Sequence, residues 1–256
     1  MQAPIAQAVA LTIAGNRFLQ GGDLAGFWPD ASVFRHCARV AFVTLSGPDA
    51  APVATPYADH PLAWLQKLQG EGRSGLRLLY APSQGTQRDR ELAGFAGGGG
   101  RRFIAAVAGD KADLWEARWA VGDRKDPAQK IWIVTYGRVA TDFDLADEAE
   151  REPPAIRADL AETLAAITQF ADAQQLTNFA ASFREASERL ESAAPLTGSW
   201  FETLAHEGSL GLAARQLLGA AEAPGSLAPW APGTISPSRA RPARPMTSCP
   251  TVFSCW

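Results

Sequence analysis

Residues 112–138 read ADLWEARWAVGDRKDPAQKIWIVTYGR, and three of the chain's eight tryptophans fall inside this stretch. Leu114 to Val121 alternates apolar and polar, as does Ile131 to Val139. The segment GDRKDPAQK between them is polar and holds a proline. Two alternating runs around a polar loop read as a β-hairpin with a long connection. Trp115, Ala117, Trp119 and Val121 then share one face, with Glu116 and Arg118 on the other. Tryptophan at period two suits a pleated, half-buried surface, and the area of each ring favours a sheet's inner face. The tryptophans are therefore expected to be buried between sheet and helices.

Working outward from the hairpin, further alternating runs appear. AVALTIAGNRFLQ (8–20) reads as a strand, with Gly15-Asn16 as a two-residue hairpin signal. SVFRHCARVAFVTL (32–45) places Phe34, His36, Ala38, Val40 and Phe42 on one face, with Arg35, Cys37 and Arg39 on the other. GLRLLYA (75–81) and RRFIAAVAG (101–109) complete the set. DHPLAWLQKLQG interrupts it as a short helix, with Asp59 as N-cap, Pro61 in the first turn, and Leu62, Leu65 and Leu68 as its apolar stripe. Gly70 ends it.

After about residue 142 the period changes. Pro153-Pro154 prepares a helix start. Ile156, Leu160, Leu164, Ile167 and Phe170 form one stripe, while Leu176, Phe179, Phe183 and Leu190 form a second, rotated by about 150° at helical spacing. A break near Asp172 reconciles the two stripes, and Asp172 with Gln175 resembles a capping box. A third helical region begins at Ser199, with Glu202 as its capping partner. Strands first and helices afterwards predict an α+β fold. The expectation is one domain over 1–221: a mainly antiparallel sheet of six or seven strands across 5–140, covered by a helical layer over 154–221.

Residues 222–256 differ in kind. Seven prolines and three arginines follow Glu222 without an acidic residue, and no period is sustained. Such composition cannot supply a core and is expected to be disordered. With 20 arginines to four lysines in the chain, GC-rich coding suggests that this tail is read out of frame.

Charge and composition exclude several classes. The net charge is −3, and setting aside Glu222 with Arg239, Arg241 and Arg244 leaves 21 basic against 26 acidic residues in 1–221. Nucleic-acid binders usually carry a basic excess, so a nucleic-acid partner is not expected. No apolar run approaches the ~20 residues of a membrane-spanning helix, and no membrane role is expected. Three cysteines and three histidines are too few for a disulfide framework or a zinc site, which points to a reducing cytoplasm. Neither a metal nor a cofactor is expected.

Several groups of residues could carry a site, and each also has a plainer role. The glycines at 97–100, followed by Arg101 and Arg102, could cradle a phosphate, but they lead into a strand and no lysine follows. Asp142, Asp144, Asp147 and Glu148 lack the glycine of a calcium loop and suit a helix approach. Adjacent His36 and Cys37 point to opposite faces of a strand, against a nucleophile–base pair. The strongest grouping lies on the hairpin. If Val121 opposes Ile131, Glu116 opposes Tyr136 and Arg118 opposes Val134, with Arg138 nearby. Glu116 and Tyr136 are then candidate catalytic groups, and Arg118, Arg138 and Arg102 candidate anion-binding groups. A cross-strand ion-pair ladder is the commoner use of such residues. With no catalytic motif surviving, the expectation is a non-catalytic binding or protein-interaction module. The alternative is an enzyme, a hydrolase or transferase, acting on an anionic small molecule.

Overall fold

The computed structural model describes residues 3–47, 53–81, 101–145, 151–205 and 208–223. The proline-rich tail from 224, the glycine run at 97–100, His206, and Asp147 with Glu148 lie outside them. The described elements are α1 (Ala3–Leu19), a 3-10 turn (Ser32–Phe34), β1 (Cys37–Ser46), β2 (Val53–Ala58), α2 (Pro61–Gly70), β3 (Gly75–Ala81), β4 (Arg101–Ala108), β5 (Lys111–Val121), β6 (Trp132–Asp144), α3 (Pro153–Ala173), α4 (Thr177–Glu191) and α5 (Leu212–Glu222). The α+β class holds.

The six strands lie in the order β2-β1-β6-β5-β4-β3. From β3 to β6 the chain runs as an antiparallel meander, and β1 with β2 forms a separate antiparallel hairpin. The hairpin joins the meander through β1 and β6, which are parallel. The sheet is therefore mixed, which corrects the mainly antiparallel expectation. Local alternation identifies strands but carries no information on which distant strand lies alongside.

The largest correction is at the N-terminus. Residues 3–19 form a helix, so the sheet starts at Cys37 and not near residue 5. The alternation of Val9, Leu11 and Ile13 misled, because the buried positions are Ala6, Gln7, Ala10, Leu11, Ala14 and Gly15, at helical spacing. Five of these six are apolar or lack a side chain, and four are no larger than alanine, so the helix sits close to its neighbours. A Cβ on Gly15 would stand 2.3 Å from a Leu76 methyl and 2.9 Å from one of Leu65. Gly15 therefore marks a close approach and not a turn.

Asn16, the other half of the supposed hairpin signal, closes the edge of the sheet. Its side-chain amide donates to the Leu76 carbonyl at 2.9 Å, and its carbonyl accepts from the Leu76 N–H at 2.6 Å. β3 is an edge strand, and these are the backbone groups that a further strand would otherwise satisfy. Replacing Asn16 by alanine removes both bonds from a partly buried site and is expected to lower stability by about 1–3 kcal/mol. Chemical denaturation reads this directly, and a loss below a few tenths would mean that the amide contributes nothing there.

β1 begins with an irregularity. Cys37 pairs with Trp132, but Arg39 pairs with Ile133, so Ala38 is an extra residue on β1. This bulge carries Cys37 to the same core as Val40 and Phe42, against the expectation that it faces away from them. α2 matches its predicted span, with Leu65, Leu68 and also Trp64 fully buried. Its N-cap is His60 instead of Asp59: the imidazole Nδ1 accepts from the Ala63 N–H at 3.2 Å.

The main core lies on one face of the sheet. Val40, Phe42, Ile104, Trp115, Val134 and Tyr136 from the strands meet α1, α2 and the segment around Leu196, Phe201 and Ala205. Trp115 is fully buried, while Trp119 is half-buried against the same cluster. A smaller cluster of Phe103, Ala105, Val107, Ala112 and Leu114 occupies the opposite face. The later helices α3, α4 and α5 pack on one another around Leu164, Ala186, Leu190 and Ala220. Leu218 of α5 also touches the main core. The helices that cover the tryptophan face are thus chiefly α1 and α2, which precede or interrupt the strands.

The break near Asp172 is present, by other means than a capping box. Gln175 adopts φ +57°, the Leu176 N–H donates to the Ala171 carbonyl at 2.8 Å, and the Gln175 N–H to the Asp172 carbonyl at 3.0 Å. These are the paired bonds of a Schellman reversal. The Asp172 carboxylate meets Arg184 of α4, with both oxygens at 2.7 Å. The region from Ser199 is a series of turns, and α5 starts only at Leu212. Ser199 does accept from the Phe201 N–H, and Glu202 accepts from the Gly198 N–H, so the capping chemistry is used in a turn.

Candidate functional site

The register of β5 on β6 decides where the predicted residues fall. Val121 pairs with Trp132, one residue away from the expected Ile131. Tyr136 accordingly opposes Ala117, Glu116 opposes Gly137, Arg118 opposes Thr135, and Arg138 opposes Trp115. A one-residue slip moves a side chain to the other face, and it separates Glu116 from Tyr136. The expected grouping on one face is not formed.

Tyr136 lies on the tryptophan face, 1% exposed. Its hydroxyl donates to Gln7 Oε1 at 3.1 Å. The Gln7 amide nitrogen in turn lies 3.3 Å from the Val33 carbonyl and 3.4 Å from Cys37 Sγ. This buried set ties α1 to β6 and β1. Burial, and then the neighbouring Cys37, push the phenol far above its ordinary range. Burial also pushes the Cys37 thiol up to about 11, in spite of the opposing hydrogen bond from Gln7. A thiol held neutral at physiological pH is a poor nucleophile, and a sealed phenol is a poor proton donor.

Glu116 sits on the opposite face in a two-pronged pair with Arg101, at 3.0 and 2.6 Å. The Arg101 guanidinium also lies 5.0 Å from the Phe103 ring. Arg118 is exposed on the same face as Glu116. Arg102 belongs to the tryptophan face, exposed, with its guanidinium 5.4 Å from the Tyr80 ring. The five residues therefore divide into Glu116 with Arg118 on one side and Tyr136, Arg138 and Arg102 on the other.

Arg138 belongs to a network that sequence reasoning missed. Asp113 is completely buried, and its carboxylate meets Arg73 at 2.9 Å and Arg138 at 3.1 Å. Glu71 stands 3.6 Å from the same Arg138. The Arg138 guanidinium lies over the rings of Tyr57 and Trp115, at 5.3 and 5.7 Å. Burial, then the Glu71 carboxylate, raise the Tyr57 phenol above its ordinary range. The signal was present: Asp113 lies two residues before Trp115, on the face assigned to the tryptophans. A carboxylate on an apolar face requires a cation beside it.

A concavity of about 100 Å3 is bordered by Arg17, Asp23, Leu24, Phe27, Thr203 and Leu204, away from all five predicted residues. Drug-sized ligands usually occupy about 300–1,000 Å3. Among the described residues, no group of three or more His, Cys, Asp or Glu is placed to hold a metal ion. Nor is any helix long and apolar enough to cross a membrane.

The exposed apolar side chains are a separate feature. Phe170 and Phe179 are each 61% exposed, with Ile167 and Leu176 at 39% and 43%. All four lie within roughly two turns of the α3–α4 reversal. They continue the apolar stripes of α3 and α4 toward the reversal, beyond the cluster at Leu164, Ala186 and Leu190, with the Phe179 ring 6.5 Å from that of Phe183. No protein-family model matches the chain, and neither does any curated protein or solved structure.

Proposed function

We propose that the chain is a non-catalytic protein-interaction module, working in the cytoplasm, whose contact face is the α3–α4 reversal. The observation that carries this reading is the pair Phe170 and Phe179, which leave most of their rings in water. Scattered exposed apolar residues are ordinary, but two aromatics with Ile167 and Leu176 around one reversal form a patch of partner-binding character. Aromatic residues are also enriched at interface cores. The free, buried Cys37 fits a reducing compartment. The alternative, an anionic small molecule turned over by Glu116 and Tyr136, gets no support from their positions on opposite faces.

The test is photo-crosslinking in the source cells, with a benzophenone side chain at position 170 and a control probe at position 118. One dominant adduct at 170 is expected, weakened by Phe179→Glu and missing from the control. An adduct yield at 170 no higher than at 118 would remove the contact face and the reading with it.

A further inference from the structure

We infer that the occupant of this face is a second copy of the same chain, an inference that rests on the reading just given and names its partner. Charge is the first argument. From Thr163 to Ala180 the sequence is TLAAITQFADAQQLTNFA, and Asp172 is the one charged residue. That charge is already neutralised within the chain by Arg184. A face with no net charge offers nothing to recognise an acidic or basic partner. It also sets up no repulsion between two identical acidic molecules. Depletion of charge around aromatic residues marks the core of protein interfaces, and homodimer interfaces are the more apolar ones.

Area is the second argument. At 61% exposure each phenylalanine presents about 120 Å2, and with Ile167 and Leu176 the four reach about 400 Å2. A standard interface takes about 800 Å2 from each partner, so these four side chains supply about half. The uncharged Thr168, Gln169 and Asn178 flank them on the same two helices, with Gln174 and Gln175 in the reversal between. This suits a modest, concentration-dependent dimer. Geometry agrees: Ile167 and Phe170 form an i, i+3 ridge on α3, and Leu176, the N-cap of α4, with Phe179 flanks that helix's first turn. Under a two-fold axis the α3 ridge of one copy meets the first turn of α4 in the other, which makes a four-helix arrangement from two hairpins.

The experiment is light scattering on the purified full chain across a concentration series, for the natural sequence and for the double variant Phe170→Glu, Phe179→Glu. The natural chain is expected to pass from one to two copies in the micromolar range. The variant should weaken association by at least ~100-fold, as for loss of two central aromatic anchors. Both sites are exposed, so an unchanged thermal unfolding curve shows that the variant is folded. If it is not, Phe179→Ser alone supplies the comparison. A natural chain that remains single up to hundreds of micromolar, or a dimer untouched by the variant, overturns the inference. The cross-link at position 170 separates the two claims. An adduct to a different protein keeps the interaction module and removes the second copy. An adduct within one chain, including to residues 224–256, removes the second copy as well.

Discussion

Trp115→Ala is expected to lower the stability of the folded chain by about 3–5 kcal/mol, the range for truncating a core aromatic. The ring is 0% exposed and lies at the centre of an aromatic cluster. Phe42 is 6.0 Å away, Trp64 5.7 Å and Tyr57 5.0 Å between ring centroids. Removing the indole opens a cavity that rigid neighbours cannot collapse into, and it takes one ring from beneath Arg138. Trp115→Phe should cost far less, about 1–2 kcal/mol, because a ring stays in place. Among the described residues the indole N–H has no acceptor to lose. Denaturant midpoints at unchanged slope measure both. An alanine variant within about 1 kcal/mol of the natural chain would show that the cluster repacks freely.

The hairpin around Trp115 was legible because its information is local. Alternation named both strands, and tryptophan on one parity named the inner face. What alternation could not supply was register. The offset is set at the loop, where Val121 pairs with Trp132, and it runs unchanged to Trp115 on Arg138; the irregularities between Ala112 and Trp115, beside Asp142 at φ +54°, lie beyond Glu116. A candidate site built on Glu116 facing Tyr136 needed a register accurate to one residue. It therefore failed where the strand faces themselves held. The same limit explains Cys37, whose face depends on a single extra residue at Ala38.

α1 was misread for a different reason. Apart from Leu11, its buried face is made of alanine, glycine and glutamine, which carry little hydrophobic contrast, while Val9 and Ile13 are only half-buried. Periodicity weighted by hydrophobicity then follows the larger side chains and finds a strand. The signals that could have decided otherwise were the 13-residue span without proline and the absence of a polar turn before Gly15-Asn16. The parallel contact of β1 with β6 was beyond sequence reading, since it joins segments about 95 residues apart by the register Cys37 to Trp132. By contrast, the α3–α4 break followed from the angle between two apolar stripes. That argument uses only helical geometry, so it survived although the capping residues act differently.

Removing the Asp113 carboxylate is expected to be nearly as costly as removing Trp115. Asp113→Ala leaves Arg73 and Arg138 facing one another where their side chains are only 14% and 21% exposed. Breaking a buried pair from one side typically costs about 3–5 kcal/mol, because the remaining charge is stranded. Glu71, 3.6 Å from Arg138, softens the loss without replacing the bond to Arg73. The lower half of that range is therefore the expected value. Whether the carboxylate stabilises the fold or only neutralises the arginines is settled by a second variant. Asp113→Leu with Arg138→Met removes one charge of each sign and fills the space with apolar atoms. Arg73 keeps a path to water. The double variant should be more stable than Asp113→Ala by about 1–2 kcal/mol, since a buried ion pair is often replaced by apolar groups at little cost. The deficit of Asp113→Ala should also persist at high salt, because buried charges are poorly screened. A double variant that loses the full sum of its single substitutions would mean that the carboxylate does more than balance charge. Its hydrogen bond from the Asp142 N–H, at 3.4 Å, would then be holding the irregular end of β6 in register.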